Sequence, residues 1–206
     1  MRRNSSVLTF NLSTVAPHLP FIIFATLFII GVFTGCFTVG RFEVFTDYSA
    51  EKINDFISIR NDFEFFSVLK DSFFRIFPIY LIVFLCGTSV VGCIASPLIL
   101  VYNGIVYGFL SGYLCSTHRL EGIMFNALIL IPSVLVSTFG LILLAKEAFF
   151  FSYTFAGICI KSNKPVNIYS RFKGYCIKSL VSVVAVVLAT FLDMSMSVLF
   201  ISYFNF

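Results

Sequence analysis

Long apolar stretches without any period along them dominate this chain, each about the length needed to cross a bilayer. Such runs read as helices surrounded by lipid, where backbone polar groups must be satisfied inside their own segment. Charge content agrees, because only 12% of the 206 residues are Asp, Glu, Lys or Arg, against about a quarter in an ordinary soluble domain. A soluble fold could not cover itself with so few charges, and mean hydropathy is +0.99. The expected fold is an all-α integral membrane protein of about five transmembrane helices. A formal charge of +4, scattered along the chain, excludes a nucleic-acid surface.

Residues 1–19 read as a cytoplasmic tail and 20–40 as the first span. That run is too long for a secretory signal and has no Ala-x-Ala site after it, since Arg41 and Glu43 follow Gly40 directly. Composition then shifts. Residues 41–75 mix seven acids with five bases, while Ile53, Phe56 and Ile57, then Phe65, Phe66 and Leu69, recur three and four residues apart. That spacing predicts amphipathic helices. Their apolar stripe lies on the membrane interface or their own bundle, or forms a docking face for a partner.

Residues 76–206 read as a four-helix membrane bundle, with spans at about 76–94, 97–115, 123–160 and 179–203. A tight reversal is expected at Ala95-Ser96-Pro97. The run 123–160 is longer than the roughly 20 residues that suffice to cross, so Pro132 or Gly140 should bend or break it. Lys161 to Lys178 holds five bases and no acid. Short cytoplasmic connections carry excess Lys and Arg. Five crossings with Arg2 and Arg3 inside therefore put that connection inside and the 41–75 region outside.

Gly104, Gly108 and Gly112 repeat at four residues, as do Gly31 and Gly35, so each set lies on one helix face that admits a neighbouring helix closely. Packing within the bundle is the expected use, and homo-oligomerisation through the same faces stays open. Asn103 should hydrogen-bond between helices. Lys146, Glu147 and Asp193 are the ionisable residues inside apolar sequence, where such groups often mark function. Asp193 stands alone in its span, near the outer end. Lys146 and Glu147 fit an interfacial position.

An enzyme is not expected. The sequence has no HExxH, no GxxxxGK[ST] loop, and its two histidines, His18 and His118, fall in connections on opposite sides of the membrane. The six cysteines mostly sit in apolar runs; Cys86 and Cys93, read as sharing one helical face, have no ligand-like spacing. No cofactor or metal is implied.

The run Leu98 to Tyr113, LILVYNGIVYGFLSGY, followed by Ile123 to Ser137 with Pro132, resembles the conserved half of the stage II sporulation protein M family. So does the layout of one span, a charged outer region and four grouped spans. The resemblance implies a non-enzymatic bacterial membrane anchor of the engulfment machinery, recruiting extracytoplasmic cell-wall hydrolases. Relatives outside the sporulating group often carry Pro-His-Gly followed by Glu, whereas Pro132 is followed here by Ser133 and Val134; any activity of theirs does not carry over. The alternative is a small transporter or channel component built on Asp193, Glu147 and Asn103. On this topology a reporter fused after Phe206 is active outside the membrane; activity confined to the cytoplasm would exclude it.

Overall fold

The computed structural model describes residues 19–39, 41, 43–61, 65–160 and 168–203. The N-terminal tail up to His18, expected to be cytoplasmic, the acids Asp62 and Glu64, and Lys161 and Lys164 of the basic connection lie outside the described residues. All regular structure among the described residues is helical. The elements are α1 (Leu19–Val39), α2 (Glu43–Asn61), α3 (Phe65–Gly87), α4 (Gly92–Thr117), α5 (Arg119–Phe125), α6 (Ile131–Ile160) and α7 (Ile168–Phe200), with a final 3-10 turn at Ile201–Tyr203.

Four helical stretches are long and apolar enough to cross a membrane: Leu19–Val39, Gly92–Thr117, Arg119–Cys159 and Tyr169–Phe200. The chain is an all-α, multi-pass membrane protein. Large apolar side chains such as Phe33, Leu135 and Leu180 point outward, as lipid-facing groups do. Only the second half of α3 is uniformly apolar, because Lys70, Asp71 and Arg75 occupy the first.

Contacts fix the helix directions. Gly31 faces Gly104 and Gly35 faces Gly108, so α1 and α4 run parallel. Cys93 meets Ser152 and Ser111 meets Asn126, so α4 and α6 run antiparallel. Tyr175 bonds the Phe84 carbonyl while Asp193 bonds Ser72, which lays α3 antiparallel along α7. The core between these helices includes Tyr80, Val83, Leu100, Leu141, Ala145 and Val186. The glycines let α1 and α4 approach backbone to backbone. A Cβ on Gly104 would lie 2.5 Å from the Phe28 carbonyl oxygen, and one on Gly112 would lie 3.0 Å from Cys36 Cα.

Two expected boundaries move. The reversal is not at Ala95-Ser96-Pro97; it lies between Gly87 and Gly92. There Thr88 and Ser89 donate back to the Leu85 and Cys86 carbonyls, closing α3. Ser152 of α6 accepts from the Cys93 amide and donates to the Ser89 carbonyl, holding the turn. Pro97 instead sits in the second turn of α4, where it forfeits one i→i−4 bond. Cys86 and Cys93 consequently lie on different helices. The last helix begins at Ile168, not near residue 179, so Arg171, Lys173 and Lys178 belong to its first turns.

The overlong segment neither breaks nor folds back. It runs from Arg119 to Ile160 with one π-helical turn, Asn126–Leu130, immediately before Ile131 and Pro132. The Ile131 amide bonds the Asn126 carbonyl, a five-residue register of the kind that relieves a proline in a helix. Gly140 makes no break; it lies against Ala185 and the Tyr80 hydroxyl.

Gly108→Leu forces α1 and α4 apart. Overpacking of this kind costs about 1–3 kcal/mol, so the variant should lose monodispersity and thermal stability in detergent, whereas Gly157→Leu, where a side chain meets open space, should not.

Candidate functional site

Helix α2 buries Ser49, Ile53, Phe56 and Arg60, spaced by four, three and four residues, so one stripe faces inward. Ile53 and Phe56 pack on Leu114, Phe125, Ile129 and Leu130, with Ile57 alongside, and Phe45 stacks on Phe109 of α4. These residues were candidates for partner docking. The chain's own bundle covers Ile53 and Phe56 instead, because α4 and the π-turn supply an apolar floor directly beneath them. Of the remaining docking candidates, Leu69 is half-buried, whereas Phe65 and Phe66 are exposed at the start of α3.

The stripe ends in Arg60, whose side chain is 0% exposed. Moving an ion out of water costs several kcal/mol unless every donor is answered. Here each of the five guanidinium N–H groups has a partner. Nε donates to Ser197 Oγ at 2.9 Å; Nη1 donates to the Phe56 carbonyl at 3.1 Å and to Asp71 Oδ2 at 3.2 Å. Nη2 donates to Ser72 Oγ at 3.1 Å and to Asp193 Oδ2 at 2.5 Å. The Phe56 ring lies under the guanidinium, 3.3 Å from its carbon, with Arg75 at 4.7 Å from the same ring.

Asp193 is 3% exposed and accepts from Ser72 and Arg75 as well as Arg60, with Ser133 at 3.5 Å on its other oxygen. Arg75 also pairs with Asp71 at 3.0 Å. Two cations and two anions thus balance in one network that joins α2, α3, α6 and α7. Burial pushes the Arg60 pKa down, the Asp193 carboxylate beside it pushes it back up, and Arg75 lowers it again. Arginine remains protonated throughout the accessible range, so the buried cation is permanent.

Asp193 was expected to stand alone near the outer end of its span. Its partner lies 133 residues earlier, and Arg60, Asp71, Ser72, Arg75, Ser133 and Ser197 went unrecognised. One signal was present: Arg60 falls on the apolar phase of α2, seven residues after Ile53.

Beside the network lies a cavity of about 540 Å³ between α2, α3 and α4, lined by Lys52, Phe56, Arg75, Tyr102, Asn103 and Leu110 among others. A neighbouring space of about 80 Å³ shares Arg75 and Asn103 and reaches Ser133 and Asp193. Asn103 was expected to bond between helices. It is 6% exposed and makes no hydrogen bond among the described residues. It lines the cavity instead, with residues of α2 and α3 on the other walls. Lys146 and Glu147 form a separate cluster, with Lys178 bonding Glu147 at 2.9 Å and Lys146 at 3.6 Å from it. Lys178 lies roughly 20 Å along α7 from Asp193 at about 1.5 Å per residue. Among the described residues no group of three or more His, Cys, Asp or Glu side chains could hold a metal ion.

Removing one partner of a buried ion pair costs about 3–5 kcal/mol, whereas replacing both with apolar groups is often neutral. Asp193→Leu and Arg60→Met should each lower the thermal midpoint sharply, and the double variant should recover most of the loss. Additive losses would refute the pairing.

Comparison with protein-family models, with curated proteins and with solved structures finds no match.

Proposed function

We propose that this protein is a non-enzymatic membrane scaffold of a bacterial engulfment complex, anchoring cell-wall hydrolases to the outer face of the membrane through α2 and the start of α3. The observation that carries the reading is the closure of the Arg60 network. A helix tied to two others by a saturated buried arginine makes a fixed platform, and a fixed platform is what a docking partner needs. The outward side of that platform exposes Asp47, Glu51 and Asp55 on α2, and Phe65 and Phe66 follow at the α2–α3 junction. Exposed aromatic anchors rimmed by charge are typical of contact sites.

The likeness of Leu98–Tyr113 and Ile123–Ser137 to the stage II sporulation protein M family supports the same role and supplies the partner class. In this reading α3 is the second of five crossings, with its charged first half at the outer interface. The N-terminus is cytoplasmic, and the 41–75 region and the C-terminus are extracytoplasmic, in a bacterial cell membrane.

A transport role is the second reading, favoured by the cavity and by Asn103 within it. Asp193 serves it less well than an unpaired acid would, because protonating it would orphan Arg60. For the same reason loss of function in Asp193→Asn does not separate the two readings.

Phe66→Glu does separate them. The side chain is 81% exposed, so the variant should keep its thermal midpoint while recovering several-fold less cell-wall hydrolase from sporulating cells in a detergent pull-down. Unchanged recovery would overturn the docking surface.

A further inference from the structure

We infer that the cavity between α2, α3 and α4 holds the headgroup of a membrane phospholipid that carries both a phosphate and an amine. Its volume, about 540 Å³, falls within the roughly 300–1,000 Å³ of small-molecule sites. The lining is mainly apolar, with Ile53, Ile79, Val106 and Leu130 contributing, and a few polar groups converge on it. Tyr48 and Tyr102 line the cavity while themselves remaining largely exposed. Two exposed tyrosines thus border the cavity, a residue type enriched at headgroup level in a bilayer.

Three polar features select the headgroup. Asn103 is 6% exposed, and its amide lines the cavity without a hydrogen-bond partner among the described residues. Arg75 uses only Nη2, toward Asp71 and Asp193, so its other guanidinium nitrogens have no protein acceptor. Lys52 enters no ion pair among the described residues and its Nζ lies 5.9 Å over the Tyr48 ring. Two cations with unused donors suit a phosphate. Of the two acids in the lining, Asp71 is already held by Arg60 and Arg75, and Asp55 is exposed and in no ion pair. That free carboxylate suits an ammonium group next to the phosphate. The mixed signs favour a zwitterionic aminophospholipid over an anionic lipid, and the mainly apolar lining favours a lipid over free phosphate.

The inference is independent of the scaffold role, since it concerns bilayer contact only. Native mass spectrometry of the full chain in mixed micelles holding equal amounts of phosphatidylethanolamine, phosphatidylglycerol and diacylglycerol tests it. Phosphatidylethanolamine should be retained at least about tenfold over both others, which is the discrimination that one hydrogen bond to a charged group provides. Millimolar inorganic phosphate should not displace it. Lys52→Gln, an exposed position, should weaken retention of both phospholipids relative to diacylglycerol, and Asp55→Asn should abolish the preference for phosphatidylethanolamine over phosphatidylglycerol. Any other ranking of the three lipids, a preference that survives Asp55→Asn, or displacement by phosphate alone would overturn the assignment.

Discussion

A single guanidinium decides where α2 can lie. Arg60 has no access to water, and leaving its charge unanswered costs about 3–5 kcal/mol, a large share of a domain's net stability. Its five acceptors come from its own helix, from Asp71 and Ser72 on α3, and from Asp193 and Ser197 on α7. Any displacement of α2 along or away from these helices strands at least one donor. Apolar contact alone could not fix the position so narrowly, because Ile53 and Phe56 would bury comparable area after a slide of one turn. The ion pair thus contributes register and the apolar stripe contributes affinity.

Inside the bundle the constraint is of another kind. Lipid chains are as apolar as leucine, so helices gain little by burying apolar side chains against one another. The α1–α4 pair answers this with glycine: parallel backbones meet where Gly31, Gly35, Gly104 and Gly108 remove the side chains between them. Serine does comparable work elsewhere, at Ser152 of α6 against the α3–α4 turn and at Ser72 and Ser197 around Arg60. Small residues allow both close approach and a hydrogen bond where a larger one would separate the helices.

Features that depend on spacing within one helix were legible in the sequence. The apolar runs marked the membrane-crossing helices, the four-residue glycine repeats marked the α1–α4 face, and the phase of Ile53 and Phe56 marked α2 as amphipathic. Features that depend on what arrives from elsewhere in the chain were not. Nothing local to Asp193 points to Arg60, and nothing local to Ile53 says whether bilayer, bundle or partner covers it. The α3–α4 reversal was misplaced for the same reason. Ala95-Ser96-Pro97 has the composition of a break, but the turn forms at Gly87–Gly92, where Ser152 of a distant helix can satisfy its backbone. Asn103 is the converse: a polar residue in a span usually finds a partner, and here it lines a cavity instead.

Arg75 belongs to both halves of the site. One of its nitrogens holds Asp71 and Asp193 in the network, while the side chain also lines the cavity and its other nitrogens have no acceptor among the described residues. A phosphate drawn to those free nitrogens pulls the same guanidinium that helps neutralise Asp193, so occupancy of the cavity and attachment of α2 cannot be energetically independent. Linkage is reciprocal: if a bound headgroup tightens the network, tightening the network must raise affinity for the headgroup by the same factor. The cap and the bilayer are then coupled through one side chain, in a position where α2, α3 and the lipid meet.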